Sequence, residues 1–482
     1  MVWIKVIAGG AAYLQTTKIP SAEEKAMNQI SRRTFLMTAT GAAGAGLLAA
    51  CAPVAAPTAS DDMAADAPDE MAAELEMWTE MATSPRLEGM NEIVDRFNET
   101  HPGIKVTHSG FSGLAYEQAT KTAFAGGAVP DFLQTDAGPG ALSAFIEADQ
   151  LMDLTDVVEA NKGAIYPDAL DSVLYRGSYW GAPWAMTIAN LMYYNEGILG
   201  EHGVDPASLT TWSAFTDACQ TFQDAGVTPV LIGAKNAWPG GHWAQHLYIR
   251  TFGVKGSVDL FLRGLYVEHE SEKRFTDANG VRVWELIREL LDKEYFSRGV
   301  LSDDYPIAFG KLFRGDGAFF QTGGWLLGDW FANVDAEIDL KFMLMPAIDD
   351  IAESNANEVS FNARTLIVPR ESEHPAEAQE FVKWYLQSEE PHRIWYNYMP
   401  GEAPPMPLST PMENLRPESA LLVELLDNAP ALTIMIERAI DYNIGQEILW
   451  HGSSGVLSGA LSPVEAAERA ENLVLDWREE RM

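Results

Sequence analysis

From Glu74 onward the apolar positions switch between two periods. Glu74-Leu75-Glu76-Met77-Trp78 alternates apolar and polar residues, which predicts a half-buried strand. Ile93, Val94 and Phe97 recur at helical spacing, His101-Pro102-Gly103 breaks the chain, and Ile104-Lys105-Val106 predicts a second strand. Strand, helix and strand in this order predict a parallel sheet covered by helices. The pattern recurs where a helix over Trp212 to Ala225 leads into a short buried strand over Pro229 to Gly233. Val283, Trp284, Ile287, Leu290 and Leu291 form one helical stripe, and Phe381, Trp384 and Tyr385 another. No internal repeat of about 20–50 residues is present.

The pattern is different ahead of Glu74. An apolar run rich in Ala and Gly, Met37 to Ala50, follows Ser31-Arg32-Arg33-Thr34-Phe35-Leu36. A membrane span needs about 20 apolar residues, so this shorter run reads as a signal segment. The paired arginines resemble the twin-arginine export motif. The run ends in Leu48-Ala49-Ala50-Cys51, which resembles the lipobox of bacterial lipoproteins. That resemblance implies that residues 1–50 are a twin-arginine lipoprotein signal peptide. It also implies a lipid on Cys51 and an extracytoplasmic chain anchored to the cell membrane. Met27 offers an alternative start that brings the arginines closer to the initiator. Residues 51–73 are mostly Ala, Pro, Asp, Ser and Met without periodicity, and read as a disordered tether.

Composition narrows the functional classes. The chain has 482 residues, enough for two to four domains or one large two-lobed fold. It is 47% hydrophobic and 21% charged, which excludes a collagen-like or largely disordered protein. The formal net charge is −36, so general binding to nucleic acid is excluded by repulsion. Removing residues 1–50 takes away five basic and two acidic residues, leaving 28 basic and 67 acidic and a formal charge of −39. The two cysteines, Cys51 and Cys219, exclude a disulfide-dense scaffold and a multi-cysteine metal site. His242 and His246 stand four apart, but Trp243 occupies the position where a zinc-protease motif needs Glu. The 14 Trp are many for this length and call for a role.

Several blocks carry a family resemblance: Val129-Pro130-Asp131-Phe132-Leu133-Gln134; Trp180-Gly181-Ala182-Pro183-Trp184 with Leu191-Met192-Tyr193-Tyr194-Asn195; Thr211-Trp212-Ser213-Ala214-Phe215 with Gly226-Val227-Thr228-Pro229; and Phe313-Arg314-Gly315-Asp316-Gly317-Ala318 with Gly323-Gly324-Trp325. In this order, from Leu75 to Trp477, the chain resembles the extracellular solute-binding proteins of ABC importers, in the branch of maltose-binding protein. The resemblance implies an α/β, two-lobed periplasmic-binding-protein fold with hinge crossovers. Residues 74–187 and 358–402 would form lobe one, and 188–357 and 403–482 lobe two. It implies a receptor and not an enzyme, monomeric and without a cofactor. The receptor would hold a sugar or oligosaccharide between its lobes and deliver it to the transmembrane subunits of an ABC permease.

The chemistry of a sugar gives the aromatic residues a role. A pyranose has a C–H-rich face that packs on the electron-rich face of Trp, while its hydroxyls need polar partners at the rim. At positions matching the family, the candidates are Trp78, Asp136 and Trp184 in lobe one and Asn236, Trp238, Trp243 and Trp325 in lobe two. The chain departs from the family at Phe361-Asn362-Ala363-Arg364, where many members have paired glycines. Asn362 and Arg364 are therefore candidates for changing which solute fits. Two alternatives stay open: an exported carbohydrate-active enzyme, and the same receptor fold binding a polyamine.

Overall fold

The computed structural model describes residues 73–265, 271–333, 338–410, 412–413 and 415–480. The signal segment with Arg32, Arg33, Met27 and Cys51, and the tether as far as Ala72, lie outside the described residues. Ala73, expected as the last residue of the tether, instead opens the first strand.

In chain order, β1 (Ala73–Thr79), β2 (Ile104–Gly110) and β3 (Phe132–Asp136) come first. A small ribbon follows, β4 (Leu174–Tyr175) and β5 (Ser178–Tyr179), and then β6 (Ala182–Ile188). The chain crosses to β7 (Leu191–Asn195), β8 (Thr228–Leu231), β9 (Gly317–Thr322) and β10 (Leu340–Leu344). It returns through β11 (Val359–Ile367) and later β12 (Leu432–Ile434).

Two sheets result. The first runs β12-β11-β3-β1-β2 with β6 also paired to β11, and the second runs β10-β7-β9-β8. β1 pairs in parallel with β2 and β3, as the opening periodicity predicts. β11 runs antiparallel to β3 and β6, and β7 antiparallel to β9 and β10, so both sheets are mixed and not wholly parallel.

Each sheet has its own core. Leu75, Met77, Phe97, Phe132, Trp184, Phe361, Phe381 and Trp395 belong to one. Trp212, Phe215, Trp243, Tyr248, Trp284 and Leu449 belong to the other. A third cluster holds Ile188, Leu191, Tyr193, Leu326 and Val359, where the crossing strands pass. The helical stripes read from sequence supply these cores: Val283, Trp284, Ile287 and Leu290 are buried in the helix Ala278–Asp292, and Phe381 and Tyr385 in Pro375–Gln387. One boundary differs from expectation. β12 lies within 403–482 but extends the first sheet, because its residues pair in parallel with Val359 to Phe361.

The crossings are fastened by polar groups. Asn190 Nδ2 donates to Glu358 O at 2.9 Å, and Ser360 N donates to Asn190 Oδ1 at 3.0 Å. Arg250, fully buried, donates to the carbonyls of Met345 at 3.0 Å, Glu358 at 3.1 Å and Ala356 at 3.0 Å. Burial pushes its guanidinium down to about 10, with Glu358 opposing, so it stays charged at neutral pH. Among the described residues no helix is long and apolar enough to cross a membrane.

Candidate ligand site between the lobes

The carboxyl ends of β1 and β3 bring acidic side chains to the edge of the first sheet. Glu80 follows β1, and Asp136 is the last residue of β3. β11 runs past them so that Arg364 lies directly opposite Asp136, with Asn362 two residues away on the same face. Arg364 Nη1 donates to Glu80 Oε2. Asn362 Nδ2 approaches Asp136 Oδ1 at 3.4 Å, and Arg438 Nη2 lies 2.8 Å from Asp136 Oδ2. Both residues of the chain's departure from the family, Asn362 and Arg364, therefore face this edge.

At this edge arginines pair with Glu80 and Asp136 but not, among the described residues, with Glu402. Burial works against the Arg364 charge, but Glu80, Glu402 and Asp136 outweigh it and raise the guanidinium above its ordinary value. Arg438 is raised in the same way, with Asp136, Tyr442 and Glu437 overcoming burial. Burial raises Glu402, although Arg364 and Arg86 oppose it, and neither of its oxygens has a hydrogen-bond partner among the described residues. Tyr116, buried beside Glu80 and Arg364, is pushed well up by burial first and Glu80 second.

The second lobe contributes aromatic rings. Trp238 opens the helical segment Trp238–Leu265, which breaks at Gly253, and packs 4.8 Å from the rings of both His242 and Tyr305. Trp325 stands 6.4 Å from Trp238 and 5.7 Å from His242. Both Trp238 and Trp325 are half-buried, unlike the core tryptophans. Gly323 lets the Trp325 ring fold back over the chain, since a Cβ there would sit 2.1 Å from Cζ3. Gly324 has a second use: a Cβ would meet Thr187 Oγ1 at 2.3 Å and Gly401 O at 2.4 Å. The backbones of the two lobes touch at this point. A second link is the ion pair between Arg86 of the first lobe and Asp329 of the second, at 3.1 Å.

The structure separates the sequence candidates. Asp136, Asn362 and Arg364 meet at the first lobe's edge, and Trp238 and Trp325 meet in the second lobe. Asn236 is half-buried in the turn just before Trp238. Two candidates are corrected. Trp184 is fully buried, 4.1 Å from the Tyr385 ring and 4.9 Å from Trp395, because all seven residues of β6 are covered on both faces. Trp243 is 1% exposed and stacks edge-on against Phe296 at 5.5 Å, on the core side of its helix. Trp78 packs on Phe111 at 5.0 Å in a satellite cluster with Tyr116.

Sequence reasoning missed Glu80, Glu402, Glu437, Arg438 and the role of His242. His242 Nε2 lies 3.5 Å from Glu437 Oε1, and Trp450 Nε1 donates to Glu437 Oε2 at 2.5 Å. Spacing carried a signal for His242: it sits one turn after Trp238 on the same face. Among the described residues no cluster of three or more His, Cys, Asp or Glu could hold a metal ion.

Comparison with known proteins agrees with this architecture. The family model of bacterial extracellular solute-binding proteins matches residues 82–390. An ABC transporter extracellular-binding protein of Pyrococcus horikoshii is 22% identical over 342 residues, covering 69% of this chain and 71% of its own. The arabinooligosaccharide-binding protein of Bacillus subtilis is 20% identical over 317 residues, 63% of this chain and 67% of the relative. A solved structure from work on xylan utilization by Caldanaerobius polysaccharolyticus superposes with a TM-score of 0.74 at 20% identity, covering 83% of this chain and 99% of that one. A maltose-bound protein of T. maritima gives a TM-score of 0.67 at 19% identity, covering 84% and 99%. With two cores, two mixed sheets and the crossings between them, the chain belongs to the bacterial extracellular solute-binding protein family.

Proposed function

We propose that this protein is the substrate-binding component of an ABC importer, capturing a sugar or oligosaccharide between its lobes and delivering it to the permease. The observation that carries the reading is that the lobes supply two different chemistries: a half-buried Trp238–Trp325–Tyr305 platform in one and a polar edge of Asp136, Asn362 and Arg364 in the other. Apolar platforms suit pyranose faces, and the polar edge suits hydroxyls. The relative named for arabinooligosaccharide points the same way.

The charge pattern favours a neutral solute over a polyamine. Glu80 is matched by Arg364, Asp136 by Arg438 and Asp329 by Arg86. A polycation would have to displace these arginines. We take lobe one as 74–187 and 358–402 together with β12, and lobe two as the remainder to 482. The chain acts as a monomeric receptor without turnover, tethered through a lipid on Cys51 after twin-arginine export.

A thermal-shift screen tests the reading. Raffinose, stachyose, xylo- and arabino-oligosaccharides, spermidine and free amino acids would each be added to the protein. A sugar that binds only the folded state raises the melting temperature. If spermidine raises it and no sugar does, the carbohydrate reading is wrong. Release of products from a bound sugar would make the protein an enzyme.

A further inference from the structure

Ahead of the break at Gly253, the helical segment Trp238–Leu265 carries Trp238, His242, His246 and Arg250 at intervals of four, so they share one face. Trp238 belongs to the aromatic platform, and Arg250 fastens the crossing strands. His242 lies between them, 5% exposed, with its ring against both Trp238 and Trp325. Its Nδ1 is buried and has no hydrogen-bond partner among the described residues. Its Nε2 faces Glu437 at 3.5 Å.

Glu437 is fully buried. Burial opposes its charge, but Arg438, His242 and Trp450 outweigh it and hold the carboxyl below its ordinary value. It is therefore a carboxylate, anchored by Trp450 on one oxygen. A separation of 3.5 Å is long for a hydrogen bond. Electrostatics still discriminates at that range, because a ring nitrogen facing a buried carboxylate is attracted as N–H and repelled as a lone pair. The proton of a neutral imidazole then resides on Nε2, which makes Nδ1 an acceptor.

We propose that Glu437 is a positioning residue that fixes His242 as the Nε2–H tautomer, so that Nδ1 accepts a hydrogen bond from a ligand hydroxyl beside the Trp238–Trp325 platform. The ligand half of this inference rests on the sugar reading above; the tautomer half does not. A buried acceptor left unpaired is costly, so a solute without a hydroxyl at that place is rejected.

The test has two arms. In the first, the full chain is labelled with ring-¹⁵N histidine. Long-range ¹H–¹⁵N spectra are then recorded without ligand at about pH 8, above the ordinary imidazole range. His242 is assigned by the resonance lost in His242→Asn. The expected result is an unprotonated Nδ1 and a protonated Nε2, with a mixed population in Glu437→Gln. A protonated Nδ1 in the unaltered protein, or the same tautomer in both proteins, overturns the role of Glu437.

In the second arm, raffinose, stachyose and a xylo-oligosaccharide are titrated calorimetrically. For whichever binds, His242→Phe weakens affinity about tenfold or more, and His242→Asn, whose Oδ1 can stand in for Nδ1, recovers most of that loss. Equal losses in the two variants overturn the hydroxyl contact. Failure of all three sugars to bind the unaltered protein overturns that contact together with the sugar reading, and the spectra alone then judge Glu437.

Discussion

The ion pair between Arg86 and Asp329 joins the two lobes, so breaking it should act on closure and not on either core. Arg86 begins the first lobe's helix Arg86–Thr100, and Asp329 lies in the second lobe's helix Leu326–Ala332. They stand 3.1 Å apart, with side chains 15% and 21% exposed. Burial pushes the Asp329 carboxyl up, and Arg86 pulls it back down. Two unit charges about 4 Å apart attract by roughly 4 kcal/mol at the effective dielectric of a protein surface. Desolvation and side-chain ordering offset much of this, leaving about 1.5 kcal/mol. Asp329→Asn keeps the shape and removes the charge. Because the pair exists only when the lobes meet, the loss falls on the closed state, and solute affinity should drop about tenfold. Calorimetry with a sugar identified by the thermal-shift screen measures it, in a cycle with Arg86→Met and the double variant. Small-angle scattering of the ligand-free protein should give a larger radius for Asp329→Asn. A coupling energy near zero, or a fall in melting temperature without a fall in affinity, would refute the reasoning.

Three further outcomes follow from the geometry. Trp325→Ala should weaken sugar binding by about 2 kcal/mol, roughly thirtyfold, with the melting temperature of the free protein unchanged; unaltered affinity removes Trp325 from the site. Gly324→Ala should weaken binding by a factor of about ten to a hundred, since the new Cβ would overlap Thr187 Oγ1 and Gly401 O and hold the lobes apart. Titration calorimetry decides it, and an affinity within twofold of the unaltered protein argues against the contact. His392 is fully buried, and burial lowers its imidazole to about 4. Between about pH 6.5 and pH 4 the unfolded chain takes up a proton that the folded one refuses, so stability falls as pH drops through this interval and levels off below it. The gap corresponds to about 3 kcal/mol. His392→Phe should flatten the fall in the urea midpoint over that range, and parallel profiles would contradict the assignment.

The architecture was legible wherever periodicity was strong. The stripe of Val283 to Leu291 and the alternation of Glu74 to Trp78 fixed a helix and a strand that the structure contains. The site was legible only in part. Trp184 and Trp325 are the same residue type in blocks of the same resemblance, but β6 is covered on both faces, so alternation gave no warning that Trp184 belongs to the core. Trp243 sits one residue beyond His242, and that single step around the helix moves it from the platform to the core. Arg364 and Asp136 become partners only through the register of β11 on β3, which no local pattern encodes. Glu437 and Arg438 occupy a four-residue helix, Ile436–Ala439, about 300 residues from Asp136 in the sequence, too short to carry any periodicity.

The pairing of β12 with β11 bears on how the molecule is made. The strand that covers the start of β11 arrives at Leu432, after most of the second lobe has been synthesised. Arg438, the partner of Asp136, follows only a few residues later. A chain emerging from the ribosome therefore cannot complete its first lobe and then add the second. Such distant pairings must close large loops before they are rewarded, which slows folding. The two lobes mature together and late, and a fragment ending before Leu432 would carry a first sheet with an open edge and an unmatched Asp136.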